Sequence, residues 1–415
     1  MTQWAPVWRV KISGVDVTDS VLASLNITSG RTNIYEQAQA GYCSITLIVF
    51  NQAAIDYEIN DTLSVEVQDT SAVYKPIFGG SIVDIAVSVS EVGSSAYTQE
   101  VTITALGALA RLQKALTDGV LTQDFDGDQI ETILREVLFA QWQQVPAALT
   151  WANYDPTVTW ANAENTGLGE IDTPGNYELA QRASSRTVIY DLVAALATSG
   201  LGYIYEDANG LIGYADSTHR TVYLSANGYT DLTANHALGR GITIKTRAGD
   251  VRNNITIQFG INSGSEVSDS DADSIYTYGE LAQIITTTIK HQADAEDQAA
   301  FYLELRAYPQ PNFEQITYAL TNPELDNGDR DSLINVFMGQ PIALNNLPLN
   351  MSAGTFQGFV EGFTFRASFN ELSVTLLMSP LAYSLQAMRW NDVPVNETWA
   401  SVSQTLTWEY ATIVS

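Results

Sequence analysis

The sequence predicts a mainly β protein: two related β-barrel domains flank a mixed α/β domain, and a short arm follows them. Two observations carry that fold class, and a third sets the arm apart. A series of strand-like segments near the N-terminus recurs, degenerately, roughly 280 residues later. Between the copies the apolar residues leave the strand period of two for helical spacing. Beyond the second copy, Trp390, Trp399 and Trp408 stand nine apart in a polar background.

The early copy holds segments 44–51, 61–67, 77–84 and 100–107, and the late copy holds 315–322, 339–344, 356–362 and 372–377. In each, a strand is followed by a short polar-started strand, then a Gly-centred strand, then a β-branched closing strand. The Gly-centred strand reads as F-x-G-x-x-V-(D/E), carried by Phe78, Gly80, Val83 and Asp84 early and by Phe356, Gly358, Val360 and Glu361 late. Residues 78–84 and 356–361 are therefore expected in equivalent strands of superimposable barrels. Two related modules in one chain point to a scaffold more than to a single catalytic pocket.

Residues 7–106 read as all-β, with β-branched runs punctuated by Gly, Asn and Asp. Val83, Ile85, Val87 and Val89 alternate with small or polar residues, as a half-buried strand requires, and Gly79-Gly80 supplies a bulge or bend before them. Cys43, the only cysteine, reads as a buried structural thiol with no disulfide or metal partner. From Ala108 the period changes: Ile130, Ile133, Leu134, Val137 and Leu138 fall on one helix, with Asp128 near its N-terminus. A second helix over 188–198 stops at Gly200 and leads into a hairpin turning at Asn209-Gly210. Residues 263–273 read as an exposed polar loop. A helix over 294–307, with Ala295, Ala299, Tyr302, Leu303 and Arg306 at near-helical spacing, ends at Pro309 and Pro311. The expected domains are 1–107 (first barrel), 108–245 (inserted α/β), 246–385 (second barrel with its preceding helix) and 386–415 (arm). A spacing of nine is odd for a strand and half a turn out for a helix, so the three tryptophans share no face of one element. A meander, or an arm laid across a neighbouring subunit with Trp390, Trp399 and Trp408 as interface residues, fits that spacing.

Acidic residues number 47 against 19 basic, a formal net charge of −28. Non-specific nucleic-acid affinity comes from Lys and Arg neutralising phosphates, so most of this surface repels DNA. That argues against a DNA-binding enzyme and fits a conduit whose wall must not grip passing DNA, although acidity also serves solubility alone. No apolar run is long enough to span a bilayer, and the N-terminus lacks the pattern of a signal peptide, so assembly in a cytoplasm is expected.

Chemistry-bearing motifs are scarce. His219, His236 and His291 lie in dissimilar contexts, and neither a nucleophile elbow, a P-loop nor a dinucleotide fingerprint is present. Carboxylate pairs of the glycosidase kind arise by chance among so many acidic residues. One string has metal-like spacing: Asp269, Asp271 and Asp273, with Glu280 at the twelfth position, match the first, third, fifth and last ligands of a calcium loop. The sixth position, where the sharp turn needs Gly, is Ser274. A solvated acidic loop is the plainer reading, and no cofactor is expected.

With these elements in order, the chain resembles the tail-hub (baseplate-hub) proteins of tailed bacteriophages and contractile injection systems. The carriers are the two Gly-centred strands, the element Ala105-Leu106-Gly107-Ala108-Leu109-Ala110-Arg111-Leu112, the run Tyr203-Ile204-Tyr205-Glu206-Asp207-Ala208-Asn209-Gly210, and Asp273-Ser274-Ile275 with Tyr278-Gly279. The match spans residues 7–385 and lies in the order of short strings. The resemblance implies a non-enzymatic homotrimer whose six barrels form a pseudo-sixfold ring matching a hexameric tail tube. It implies a place at the tail tip of the virion. The implied partners are a tail-tube or distal tail protein, a tape-measure protein and tail-tip or receptor-binding proteins, with DNA passing unbound and no membrane insertion by this chain. Few residues follow the second barrel, too few for the hydrolase extensions of larger relatives. The rival readings are a β-rich host-surface or carbohydrate-binding adhesin using the tryptophans, and an acidic hydrolase.

Overall fold

The computed structural model describes residues 4–17, 20–49, 56–89, 99–142, 168–238, 243–246, 248–309, 311–347, 354–368 and 371–380. The protein is mainly β. Its first module comprises β1 (Trp8–Ile12), β2 (Val15–Asp16), β3 (Ser20–Gly30), β4 (Gln39–Val49), β5 (Thr62–Gln68), β6 (Tyr74–Val89) and β7 (Gln99–Leu106). Strict alternation buries Cys43, Ile45, Leu47 and Val49 of β4 and Val101, Ile103 and Ala105 of β7 on one face.

The middle of the chain is mixed. It opens with α1 (Leu109–Lys114), β8 (Leu116–Thr117), β9 (Asp124–Phe125), α2 (Asp126–Trp142), β10 (Leu168–Ile171), β11 (Glu178–Leu179) and β12 (Thr187–Val188). There follow α3 (Ile189–Ser199), β13 (Tyr203–Glu206), β14 (Ile212–Ala215) and α4 (His219–Asn227). The expected helix before Gly200 is α3, which buries Ile189, Leu192, Val193, Leu196 and Ala197 at helical spacing. The expected hairpin is β13–β14. Gly210 takes φ +80° at its tip, and Asp207 accepts the amides of Asn209 and Leu211 at 2.9 and 2.8 Å.

The second module begins earlier than residue 246. Its strands are β15 (Thr230–Thr233) and β16 (Thr243–Thr246), then β20 (Pro311–Ala319), β21 (Pro341–Asn345), β22 (Phe356–Ser368) and β23 (Glu371–Pro380), with α7 (Asn327–Ile334) between β20 and β21. Between β16 and β20 the chain returns to the middle body through β17 (Asn254–Phe259), β18 (Ser265–Ser270), α5 (Ala272–Tyr278), β19 (Ala282–Thr286) and α6 (Gln292–Arg306). Ile255, Ile257, Phe259, Ala295 and Ala299 from this stretch share one core with α2, α3 and the β13–β14 hairpin. Cores therefore do not divide at residues 245 and 246. The segment expected as a loop over 263–273 is largely β18, paired along its whole length with β17. Its polar side chains belong to a strand whose backbone is satisfied by its neighbour, so side-chain composition alone misleads there.

The repeat is present in the topology. The strand order β3-β4-β7-β6-β5-β1 of the first module matches β16-β20-β23-β22-β21-β15 of the second. One difference lies at the end: β1 runs antiparallel to β5, whereas β15 runs parallel to β21. In the long strands a β-bulge interrupts pairing between Ile82 and Asp84 in β6 and between Val360 and Gly362 in β22. Counting from the bulge, Phe78 matches Phe356 and Gly80 matches Gly358. A Cβ on Gly80 would lie 2.4 Å from the Leu106 carbonyl oxygen, and one on Gly358 would lie 2.2 Å from that of Ser379. Only glycine permits that approach to the closing strand, which accounts for the motif.

Two expectations are corrected. Glu361 is the counterpart of Val83, not of Asp84, because the late motif is one residue shorter and the bulge restores the register. The two modules, moreover, do not form separate closed barrels among the described residues. They join in one 13-stranded sheet through antiparallel pairing of β22 with β3. The cause is strand length: the first half of β22 pairs β21, and its second half outruns that partner and pairs β3 from Gly362↔Gly30 to Ala367↔Leu25. One continuous apolar core consequently runs through both modules.

Candidate assembly site

The seam between modules is built around two glycines and one buried carboxylate. Gly30 ends β3 at φ +91°, and a Cβ there would meet the Glu361 carbonyl oxygen at 2.4 Å and the Gly362 Cα at 2.6 Å. The Arg31 amide donates to that same carbonyl oxygen at 2.8 Å. At the bulge the Glu361 side chain turns inward and is 1% exposed. Arg31 Nε donates to Oε2 at 2.7 Å, and Arg220 of α4 donates from Nη1 to Oε1 at 2.7 Å and from Nη2 to Oε2 at 2.9 Å. The Ser379 hydroxyl also donates to Oε1. Both guanidinium groups lie by the Tyr203 ring of β13, 5.1 Å from its centroid for Arg31 and 4.6 Å for Arg220. First module, second module and middle body thus meet at a single carboxylate.

Burial alone would raise the Glu361 carboxyl. The adjacent Arg220 and Arg31 charges, with the hydrogen bonds of Arg220 and Ser379, outweigh it and hold the pKa at about 2. Arg220, with two bonds to the carboxylate, is pushed upward despite its burial, whereas burial lowers Arg31. Removing one member of such a buried cluster is costly, because the charges left behind lose their counter-ion.

A second carboxylate clasps the middle body to the first module. Glu206, at the end of β13, accepts the amide of Gly41 through Oε1 and that of Leu109 at 3.0 Å through Oε2. It caps the start of α1 from another part of the chain. A Cβ on Gly41 or Gly107 would lie 2.1 or 2.0 Å from that carboxylate, so both glycines make room for it. Burial raises Glu206 to about 7 against the lowering effect of the backbone amides, with Asp207 adding to the rise. A third contact joins the modules directly: Asp331 of α7 accepts the Thr70 amide at 2.8 Å and its hydroxyl at 2.5 Å.

The expected site residues fall elsewhere. Trp390, Trp399 and Trp408 lie outside the described residues. Asp269 sits on β18, Asp271 caps α5 by accepting the Ser274 amide at 2.8 Å, Asp273 follows in its first turn, and Glu280 accepts from Asn254 at 2.6 Å. Among the described residues no group of three or more His, Cys, Asp and Glu is placed to hold a metal ion. Cys43 is buried, and desolvation pushes its thiol upward. His219 pairs with Asp172 at 2.8 Å and His291 with Glu178 at 2.5 Å. The Glu361 and Glu206 sites escaped sequence reasoning. The available signals were an acidic residue inside an apolar strand and glycines at 30, 41, 107 and 362 with no turn to explain them. Among the described residues no helix is long and apolar enough to cross a membrane.

This architecture is one that tail proteins share. A tail protein from Neisseria meningitidis superposes with a TM-score of 0.58 at 10% identity, covering 92% of this chain and 98% of that one. The 43 kDa tail protein of a prophage of Shewanella oneidensis superposes with a TM-score of 0.54 at 11% identity, covering 91% and 99%. At such identities the likeness is one of fold. No family model matches the sequence, and no curated protein matches it.

Proposed function

We propose that this chain is a structural, non-enzymatic hub at the distal end of a phage tail, joining a hexameric tail tube to tip proteins and surrounding the channel through which DNA leaves. The observation that carries the reading is the repeated strand order of the two modules. Three copies supply six such modules, which converts threefold into pseudo-sixfold symmetry. The tail-protein fold supports it. So does the net charge of −28, which keeps DNA off a channel wall. The ring is one of linked modules and not of separate closed barrels. A tape-measure protein, a distal tail protein and receptor-binding proteins are the partners of this reading. The arm with Trp390, Trp399 and Trp408 is assigned to contact with a neighbouring subunit or tip protein.

Light scattering and electron microscopy of the purified chain, alone and with its tube protein, test the proposal. A particle of three chains with a sixfold-like ring is expected. A monomer under every condition, or a ring with a continuous positive lining, would overturn it. Truncation after Leu385 should weaken assembly and leave the melting of the isolated subunit in place; the reverse pattern would return the arm to the parent core.

A further inference from the structure

We propose that the uncovered half of β6 pairs, antiparallel and head to tail, with the outer edge of β16 in a second copy of this chain. The contact rebuilds between copies the seam that β22 and β3 make within one. It rests on the assembly reading above and names the surfaces that reading needs.

Each module offers two joining edges: the second half of its long strand (β6 or β22) and the strand at the head of its order (β3 or β16). The internal seam uses β22 and β3. Among the described residues β16 pairs only with β20, and β6 beyond Asp84 pairs only with β7. The edges left over are therefore the counterparts of the edges joined. Strand directions agree as well, since β16 runs antiparallel to β20 as β3 does to β4.

Exposure points the same way. Counted from the bulge, Ile85, Val87 and Val89 of β6 match Phe363, Phe365 and Ala367 of β22. The latter three are 7%, 1% and 9% exposed, whereas Val87 and Val89 are 51% and 48% exposed. An apolar stripe on an open strand edge is a template for pairing, and native edges carry charge, proline or a cover to prevent it. Here the stripe is the part of the motif that the other module keeps covered. A contact between two different surfaces of one chain repeats around a ring or along a filament. The internal seam already sets the step between modules, so a ring of three chains is the outcome expected with the tail role.

The register follows from the internal seam. Asn26 stands opposite Arg366 in it. Asn26 faces Ser44 on β4 and Thr243 faces Gln315 on β20, which places Thr243 opposite Ser88 of the neighbouring copy. Directly opposed antiparallel residues lie within disulfide reach, about 4.5–5.5 Å between Cα atoms. The test is the double variant Ser88→Cys with Thr243→Cys, oxidised and run without reductant; buried Cys43 stays as an internal control. Expected is a ladder of covalent species ending at three chains, absent from either single variant alone. A mixture of the two single variants should stop at two. Val87→Lys in the same background should abolish the ladder and leave a folded single chain by circular dichroism. Bands continuing past three would keep the pairing and remove the closed ring. No cross-link in a sample that light scattering shows to be trimeric would overturn the pairing and leave the tail role standing. Dimers formed by Ser88→Cys alone would also overturn it. A monomer with no cross-link at any concentration, with and without the tube protein, would overturn both. Ala86→Cys with Lys245→Cys, two pairs along, repeats the test should the first pair fail to fold.

Discussion

The two modules share a strand order and a bulge yet differ in what they do with them. At the bulge the second module carries Glu361, buried and held by Arg31, Arg220 and Ser379, while the first carries the partly exposed Val83. Beyond the bulge, β22 is covered by β3, whereas among the described residues β6 pairs only with β7. The same backbone device thus makes a permanent internal joint in one copy and leaves an open edge in the other. What separates them is one ion cluster and two glycines. A repeated unit needs only local differences to acquire one joint that forms on folding and one left for assembly.

If the cluster makes the difference, its removal is the largest single effect available. Glu361→Gln removes the carboxylate charge that pairs with two buried guanidinium groups, and the cost should be about 3–5 kcal/mol of folding stability. Chemical denaturation of the isolated chain reads it directly. A loss under about 1 kcal/mol would show that the seam is held by strand pairing alone. Next in size is Gly30→Ala. The new Cβ would meet backbone atoms at 2.4 and 2.6 Å and sit at φ +91°, so neither a rotamer nor a small shift relieves it. About 1–3 kcal/mol is expected from the backbone conformation, before the clash is counted. Gly228→Ala is the control: its φ is also positive, at +71°, but no atom lies within 4 Å of its Cβ position, so any difference between the two variants measures the closeness of the seam.

The fold was legible wherever side-chain periodicity and turn chemistry decide the backbone. The alternation of β4 and β7, the helical stripe of α3 and the Asn209-Gly210 hairpin all follow from local pattern. So did the correspondence of the repeat, with Ile45 and Ile316 each opposite a residue of the closing strand. The joined sheet was not legible, because the length by which β22 outruns β21 has meaning only beside β3. β18 was hidden because its pairing partner, not its own polar side chains, makes it a strand. The Glu361 and Glu206 sites were hidden for a related reason. Each is one carboxylate in contact with residues far away in the chain, and no spacing rule connects Arg31, Arg220 and Glu361. Their trace in the sequence is glycine at the points of closest approach.

The two junction carboxylates also answer pH in opposite directions, which separates the joint between modules from the clasp on the middle body. Glu361 is held at about 2 against an ordinary 4.5, so its contribution is present above about 4.5 and lost as pH falls through about 2. Glu206 is raised to about 7, so the folded chain binds its proton more tightly than the unfolded one. Its contribution is fully present below about 4.5 and lost as pH rises through about 7. His219, raised chiefly by its bond to Asp172, adds a trend of the same sign, so the comparison must be with a variant and not with pH alone. Relative to the parent chain, Glu206→Gln should melt with less dependence on pH between 5 and 8. Equal slopes for the two chains would remove Glu206 from the account.

The smallest effect is expected from the reciprocal change, Val83→Glu, which gives the first module the residue of the second. Val83 occupies the bulge position of Glu361 but is partly exposed, and among the described residues no arginine is brought to it as Arg31 and Arg220 come to Glu361. A carboxylate there can stay hydrated, so the change loses only the burial of part of a valine side chain, about 1 kcal/mol. The contrast with Glu361→Gln is informative because the backbone site is the same. If both variants lost several kcal/mol, the bulge itself would be the sensitive element and the arginines incidental. A loss of about 1 kcal/mol at Val83 beside 3–5 kcal/mol at Glu361 would locate the difference in the surrounding cations. It would also explain why the first module keeps a neutral bulge residue: among the described residues no arginine is placed beside it to hold an inward-turned carboxylate.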